Sequence, residues 1–592
     1  MFGPVLSREA ITVARRPRHY LARAASAATL LVLICTAWQV VTGTRVVRNT
    51  GDLARFHALV FQVLAPLELV VCMFLSAISA ALAVTQEKDR RTLALLLLTR
   101  MSNAELVLGQ LAAGLLPVAS LAGAAGGVFL CTYLLGGVSL GQILGTLLVT
   151  TATMLVCGSL GATIALWREK TFQTVGGTVL VLVCWTFAWE AIARGGWTLQ
   201  TPSQSAAVWA SRFSPWHAVL RAASGTPGEN FNEAGLEYFW IALALAALLN
   251  GLSIWKVRAW NGASEAQSPR SARDGESAAP QDEQLLLDRF GRQDASAIKA
   301  GRMRRVWARP VLWREMRTWA YGRKVLAVRI VFVALVAAGA LALRDVELSA
   351  GGLSRLDAAL RLVPLLVLGL LLINAQAVTS ITNERDGQTL DLLLVTDITP
   401  GEFVGGKLAG VLYNTKEMVI LPIALCGYLC WLGGLTVENL AYLIGGWLSV
   451  VVFAAVLGIH AGMSYANSRT AIAVSLGTLF FLVIGVATCM RIMVAFSGSF
   501  SFQLQPFLAA MVGGFVGLYL ALGARNPSAA ITAAALVCPL ATLYALTSFL
   551  LGYTLAVFLV TALAYGFAAA AMLVPAIYEF DMVERRPGGE EG

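Results

Sequence analysis

The sequence predicts an all-α polytopic membrane protein built from two tandem copies of one helical unit. Of the 592 residues, 57% are hydrophobic and only 13% are charged, whereas a soluble globular domain carries roughly 25% charged residues. Apolar runs of the roughly 20 residues that cross a bilayer core recur along the whole chain. A segment that also contains polar residues recurs once in each half. Lipid, and not water, is therefore the expected main solvent.

The apolar runs predict six spans in each half of the chain. In the first half, residues 1–258, they lie near 24–42, 58–84, 113–135, 140–166, 172–193 and 238–256. In the second half, residues 307–592, they lie near 327–343, 363–381, 418–435, 438–464, 470–490 and 552–576. Two further apolar stretches within 506–550 form either an extra hairpin of spans or a re-entrant pair on the outer side. We expect twelve spans in preference to fourteen.

The two halves are separated by polar sequence. Residues 259–306 are rich in Ser, Ala, Asp and Gln, and such a composition cannot bury enough apolar surface to fold alone. We expect a disordered cytoplasmic linker that joins the two helical units.

The net charge of +10 fits a membrane protein better than a nucleic-acid-binding protein. Lys and Arg concentrate in the cytoplasmic loops of membrane proteins, and most of the basic residues here fall in loops on the side that holds both termini. We therefore expect a multi-pass inner-membrane protein with both termini cytoplasmic and no nucleic-acid partner. The first apolar run, near 24–42, is long enough to span, so we expect a membrane helix there and not a cleaved signal peptide.

The repeat is clearest where polar residues recur. Residues 84–112, the first segment, align without gaps on residues 381–409, the second segment, with 14 identities in 29 positions. In addition, the pattern Pro-Val-Leu-x-Arg-Glu occurs at 4–9 and again at 310–315. Because each unit crosses the membrane an even number of times, the copies should be related by a pseudo-two-fold axis along the membrane normal.

Three residues after its start, each segment carries an acidic, a basic and an acidic residue in succession. The first reads Glu87-Lys88-Asp89 and the second Glu384-Arg385-Asp386, and each continues through Thr-Leu into a leucine-rich run. This pattern predicts an amphipathic helix beside the membrane. Lipid, the helix bundle or a cytoplasmic partner could cover its apolar face.

These motifs resemble the signature of the ABC-2 type permeases, which runs approximately E-K-E-R-G-T-L-E-L-L-L-T-T-P-L-S and is followed by a G-K pair. The segments at 4–9 and 310–315 resemble the short amphipathic helix of that family. The resemblance covers both halves except the linker and the region around 506–550. It departs from the family at the G-K pair, which is Gly109-Gln110 in the first copy but Gly406-Lys407 in the second.

The resemblance implies two tandem six-helix ABC-2 (type V exporter-like) bundles that form the permease of an ATP-driven exporter. Separate cytoplasmic ABC ATPase subunits, expected in two copies, would dock on the two segments, bind ATP and Mg²⁺, and drive alternating access. This chain is then expected to bind no cofactor and to be no enzyme itself. The implied ATPase-coupling residues are Glu87, Lys88, Asp89, Thr92, Leu93, Thr99, Glu105, Glu384, Arg385, Asp386, Thr389, Leu390, Thr396 and Glu402. The residues implied in the amphipathic helices are Arg8, Glu9, Arg314 and Glu315.

Two ionisable residues lie deep in predicted spans, where charge is costly. Glu68 either contacts a cationic substrate group or binds a proton along the translocation path, or it pairs with a neighbouring helix or lies near the outer interface. For His460 we expect an interhelical hydrogen bond. Residues 401–407 match G-x-x-x-x-G-K, but the next residue is Leu408, where a P-loop needs a hydroxyl for Mg²⁺, so we interpret this match as coincidence.

Other functions remain open at this point. The nine cysteines lie in apolar segments without paired spacing, and neither metal-ligand nor hydrolase motifs occur. An ATP-independent secondary transporter and a membrane anchor or assembly protein are the alternatives to the exporter permease. The expected partners are the lipid bilayer, the ATPase subunits and a transported substrate of unknown chemistry.

Overall fold

The computed structural model is helical, without strands, in the part of the chain that it describes. That part is 4–15, 17–44, 49–89, 92–168, 171–193, 212–224, 233–261, 309–317, 325–350, 355–386, 390, 398–485, 512–523, 528–551 and 553–584. The predicted linker, from residue 262 onwards, lies outside these ranges.

The helices of the first half follow the predicted apolar runs closely. They are α1 (Pro4–Arg15), α2 (Pro17–Thr44), α3 (Thr50–Asp89), α4 (Thr92–Leu98), α5 (Asn103–Leu134), α6 (Leu140–Trp167), α7 (Thr171–Ala193), α8 (Pro215–Ser224) and α9 (Glu233–Asn261). Ser102 and Ser139 begin α5 and α6 with capping boxes, which satisfy backbone N–H groups that the first turn leaves unpaired.

The helices of the second half repeat this order with additions. They are α10 (Pro310–Arg317), α11 (Val325–Ala350), α12 (Arg355–Asp386), α13 (Pro400–Asn414), α14 (Lys416–Trp431), α15 (Val437–Ser464), α16 (Ser468–Phe480), α17 (Val512–Leu522), α18 (Ala529–Leu551) and α19 (Thr554–Glu584). A π-helical turn, Phe481–Gly485, extends α16.

Seven described helices are long and apolar enough to cross a membrane: α3, α5, α6, α9, α12, α15 and α19. The pair α13 and α14, bent by 53°, would make an eighth span, and α2, α7, α11, α16, α17 and α18 contain shorter apolar helices. Large apolar side chains such as Leu248, Trp255 and Leu563 are mostly exposed on the outside of the bundle, which suits contact with lipid. The prediction of an all-α polytopic membrane protein is confirmed, whereas twelve spans stay a prediction.

Helix ends recur at a constant spacing of 297 residues, as between Asp89 and Asp386. The other matched ends are Asn103 and Pro400, Leu134 and Trp431, Leu140 and Val437, Trp167 and Ser464, and Thr171 and Ser468. The spacing equals that of the two segments, so the local structure repeats well beyond them.

The turn before α6 and the turn before α15 are built alike. Gly136 and Gly433 adopt φ angles of 89° and 79°, a left-handed conformation that glycine reaches without steric cost. Each glycine N–H donates to the carbonyl three residues earlier, Tyr133 or Cys430, at 3.0 Å. The sequences at 135–139 and 432–436, LGGVS and LGGLT, carry a repeat signal that the sequence analysis overlooked.

The second half departs from the first at Thr415, where the counterpart of the continuous α5 is broken into α13 and α14. Arg329 of α11 donates to the Asn414 carbonyl at 2.6 Å and pairs with Glu417 at 3.5 Å. A guanidinium therefore binds a carbonyl beside the break in the helix.

A second difference is the hairpin of α17 and α18. The carbonyls of Ala521 and Leu522, at the end of α17, accept hydrogen bonds from Tyr465 and His460 at 2.8 and 3.4 Å. Both donors lie at the end of α15 that contacts Arg385 of the second segment. The hairpin thus extends to the segment end of the bundle. These contacts favour the extra hairpin over a re-entrant pair on the outer side, and the choice between the two stays a prediction.

The two halves pack against each other reciprocally. Helix α7 of the first half contacts α12 of the second, and α16 of the second contacts α3 of the first. Phe74 and Phe480 pack with ring centroids 5.5 Å apart. Such an exchange of equivalent surfaces is what a two-fold interface produces.

Within each half, one glycine lets two long helices approach closely. A Cβ on Gly161 of α6 would lie 2.2 Å from the Ala77 carbonyl oxygen of α3. A Cβ on Gly458 of α15 would lie 2.6 Å from Ala377 Cβ and 2.8 Å from the Asn374 carbonyl oxygen of α12. These contacts are closer than any side chain permits, so glycine is required at both positions.

We expect Gly458→Ala to lower the melting temperature of the detergent-purified chain, because overpacking costs about 1–3 kcal/mol and exceeds the gain of about 1 kcal/mol in helix propensity. Gly446→Ala, in the same helix with open space around the position, should leave the melting temperature unchanged or raise it. Equal melting temperatures for the two variants would contradict the close packing.

Candidate functional site

The first segment is held to the amphipathic helix before it by an ion pair. Arg8 of α1 lies 3.4 Å from Glu87 at the end of α3 and 3.1 Å from Glu9. Thr92, the first residue of α4, donates to the Glu87 carboxylate and to its backbone carbonyl. Glu87 therefore joins α1, α3 and α4.

The second segment repeats this arrangement. Arg314 of α10 pairs with Glu384 at the end of α12, at the positions equivalent to Arg8 and Glu87. The predicted coupling and amphipathic-helix residues thus lie together in each half.

The central basic residue of each segment binds the end of another helix. Lys88 Nζ donates to the carbonyls of Leu166 and Arg168 at 2.6 and 3.0 Å. Arg385 donates to the carbonyls of Gly462 and Tyr465 at 2.9 and 2.6 Å. The last carbonyls of a helix lack intrahelical partners and carry partial negative charge, so these cations tie α6 and α15 to their segments.

Helix α4 presents a leucine face away from the bundle. Leu93 is buried against α3 and α5, whereas Leu95 and Leu98 are 64% and 80% exposed. Thr99 ends the helix by donating to the Leu96 carbonyl. The predicted amphipathic helix is present in the first segment, and its exposed leucines are available to lipid or to a partner.

The other predicted coupling residues cap helices, pack in a cluster or lie outside the described part of the chain. Glu105 and Glu402 complete the capping boxes of α5 and α13. Leu390 packs beside a small apolar cluster of the second half. The side chain of Asp89, and Thr389 and Thr396 entirely, lie outside the described residues.

Sequence reasoning missed the role of Lys407. Its ammonium group is 1% exposed and lies 2.6 Å from a carboxylate oxygen of Glu315 and 2.6 Å from one of Glu384. The Ser380 carbonyl accepts a third hydrogen bond at 3.3 Å. The Gly-Lys pair is therefore part of an ion cluster that joins α10, α12 and α13.

The first half has no such cluster at the equivalent position. Gln110 replaces Lys407, is 3% exposed, and has no hydrogen-bond partner on either amide atom within the described residues. Glu9 and Glu315 each pair with the arginine before them, Arg8 and Arg314, but Glu9 is partly exposed whereas Glu315 is buried. The two halves thus differ at the position that holds Gln110 in the first and Lys407 in the second.

A cavity of about 130 Å³ opens where the segment ends of the two halves meet. It is lined by Leu82, Thr85, Gln86, Thr171, Asp386, Ala466, Asn467, Ser468, Arg469 and Ile472. Arg469 crosses the interface and donates to Ser79 Oγ at 3.0 Å. Polar side chains from both halves contribute to the lining, and the cavity leaves a gap in the packing between the halves at this end.

The two ionisable residues of the spans have local partners. Glu68 accepts a hydrogen bond from Cys72, one turn further along α3, at 3.1 Å. Cys72 packs in a core cluster of the first half, whereas Phe74 and Leu82, on another side of α3, contact the second half. A position of Glu68 on a translocation path stays a prediction. His460 makes the expected interhelical bond, with Leu522.

Comparisons with known proteins give no assignment. No protein-family model matches the chain, and no curated protein matches it. The functional interpretation therefore depends on the geometry of the segments.

We expect Lys407→Met to lower the free energy of unfolding by about 3–5 kcal/mol, because it removes the buried cation between Glu315 and Glu384 and leaves both carboxylates to the partly exposed Arg314 alone. Chemical denaturation of the purified chain in detergent measures this loss. The double variant Lys407→Met with Glu315→Met should lose less than Lys407→Met alone, since the second buried charge is then removed as well. The control Lys416→Met changes an exposed lysine stacked on Tyr413 and should have little effect. Equal stability of Lys407→Met and Lys416→Met would show that the cluster does not form.

Proposed function

We propose that this chain is the membrane permease of an ATP-driven exporter of the ABC-2 type, with both permease units in one polypeptide. The observation that carries the proposal is the pair of segments, each anchored by the same contacts at the same end of its half. Separate cytoplasmic ATPase subunits would dock there and supply the energy for alternating access.

The anchoring contacts support mechanical coupling. Each segment is joined by charged side chains to the preceding amphipathic helix and to the end of α6 or α15. A partner can shift a conformational equilibrium only by binding the two states with different affinity. Displacement of a segment would move these helices with it and change the reciprocal contacts of α3 and α7 with α16 and α12.

The alternatives remain a secondary transporter and a membrane anchor with a permease-like body. Neither needs two matched segments at one end of the bundle. The exposed leucines of α4 favour a partner-bound permease over both.

The orientation of the segments can be tested by cysteine labelling. We expect Leu98→Cys and Thr399→Cys, both exposed at the segment end, to react with a membrane-impermeant maleimide only after the cytoplasmic side is opened. Leu134→Cys, at the opposite end of α5, should react in intact cells. Mass spectrometry of the labelled peptides separates these sites from the native cysteines. Labelling of Leu98→Cys and Thr399→Cys from opposite sides would exclude the proposed arrangement.

The docking surface can be tested with the double variant Leu95→Ser and Leu98→Ser. Burial of a leucine contributes about 1.5–3 kcal/mol, so we expect association with a co-expressed ABC ATPase subunit to weaken on the order of 100-fold or more. Stimulation of ATP hydrolysis by the permease should be lost in parallel. Co-purification and an ATPase assay in nanodiscs measure both effects.

Leu134→Ser is the matched control, because Leu134 is also 80% exposed but lies at the other end of α5. It should leave association unchanged. If the α4 variant binds the ATPase as tightly as the control does, the leucine face is covered by lipid, and docking on α4 is refuted. If candidate ATPase subunits do not associate with the unmodified chain, the exporter proposal itself fails.

A further inference from the structure

The two halves hold their amphipathic helices, α1 and α10, by different contacts. In each, an amphipathic helix, α1 or α10, must be held against the end of a long helix and the start of the next. In the second half the ammonium group of Lys407 bridges Glu315 of α10 and Glu384 of α12. In the first half the equivalent Gln110 bridges nothing among the described residues.

The packing of α10 on α13 is also closer than the packing of α1 on α5. Gly410 of α13 lies directly under α10, where an added Cβ would come within 2.6 Å of Glu315 Cβ. Asn414 also donates to the Glu315 carbonyl at 3.2 Å. The residue equivalent to Gly410 is Ala113 of α5, which carries a Cβ that the close approach of α10 would not admit. At the equivalent glutamates, Glu315 of α10 is buried whereas Glu9 of α1 is partly exposed, so α10 is seated more deeply there.

The ion pairs that hold α1 and α10 also differ in their exposure to solvent. The tie between α1 and its segment is Arg8 with Glu87, and Arg8 is 58% exposed. Exposed ion pairs contribute little to stability because water and salt screen them, whereas breaking a buried pair leaves an uncompensated charge and is costly. The first tie can open locally, and the second opens only together with its surroundings.

We propose that Lys407 is a positioning residue that locks α10 and the second segment to α13, whereas Gln110 leaves α1 and the first segment able to shift. The first segment is then the moving lever of the transport cycle, and the second is its fixed reference. The difference in rigidity follows from the contacts alone. Its role in transport rests on the proposed function.

Hydrogen exchange of the purified full chain in nanodiscs tests the rigidity without a partner or a substrate. We expect the amides of α1 to exchange on the order of 100-fold faster than those of α10, since the second tie requires a buried ion cluster to open. Comparable exchange in the two helices would overturn the inference.

Substitutions at residues 110 and 407 test whether these two positions cause the difference in hydrogen exchange between α1 and α10. Gln110→Lys places an ammonium group near Glu9 and Glu87 and should slow exchange in α1 without changing α10. Lys407→Gln should accelerate exchange in α10 alone, and Lys407→Arg should partly restore its protection. Lys416→Gln, at an exposed lysine beyond the end of α13, is the control and should change neither helix. If Lys407→Gln fails to fold, Gln110→Lys still decides, because unchanged exchange in α1 would show that residue 110 does not set its rigidity.

The role of the first segment in transport is tested by the ratio of substrate moved to ATP hydrolysed. With an associated ATPase subunit, Gln110→Lys should lower the amount of substrate moved per ATP hydrolysed while ATPase binding is kept, because the lever is then fixed. An unchanged ratio would refute the assignment of the first segment as the lever. Unequal exchange in a chain that binds no ATPase would instead refute the exporter proposal and leave the positional role of Lys407 standing.

Discussion

A carboxylate at the end of a membrane helix must have a cation beside it, and the source of that cation determines which elements are joined. Glu87 and Glu384 end the second long helix of each half, and both take their cation from the amphipathic helix before the first span. The neighbouring basic residue, Lys88 or Arg385, then binds backbone carbonyls at the end of α6 or α15. Two adjacent side chains thus connect four elements of the bundle, and the polar residues of the repeat are those that make the connections.

These connections lie at the same end as the reciprocal interface between the halves. Helices α3 and α12 carry the segments at their ends, and on their sides they contact α16 and α7 of the opposite half. Because packed helices move as rigid bodies, a displacement at one segment is passed to both halves. The polar cavity beside Arg469 leaves room for such a displacement, whereas the glycine contacts of α6 and α15 within each half leave none.

Sequence reasoning located each predicted span on a described helix and found the pairing of motifs that the ion pairs join. Hydropathy and polar identity suffice for this, because helix ends and caps depend on residues within a few positions. Three features lay beyond it. The bridge from Lys407 to Glu315 joins positions 92 residues apart, the break at Thr415 depends on Arg329 from another helix, and the direction of the α17 and α18 hairpin depends on Tyr465 and His460. Each is set by packing between distant helices, which a single sequence does not display.

The additions to the second half all brace the end where its segment lies. The buried Lys407 cluster holds α10, Arg329 ties α11 to the break between α13 and α14, and α17 contacts the end of α15 through Tyr465, whose own carbonyl accepts from Arg385. Among its described residues the first half has a short helix, α8, between α7 and α9, and the contact of α8 with Gln142 lies at the opposite end of the bundle. In a symmetric dimer, such braces would appear twice or not at all. Fusion of both units into one chain lets one half become rigid while the other keeps its freedom to move.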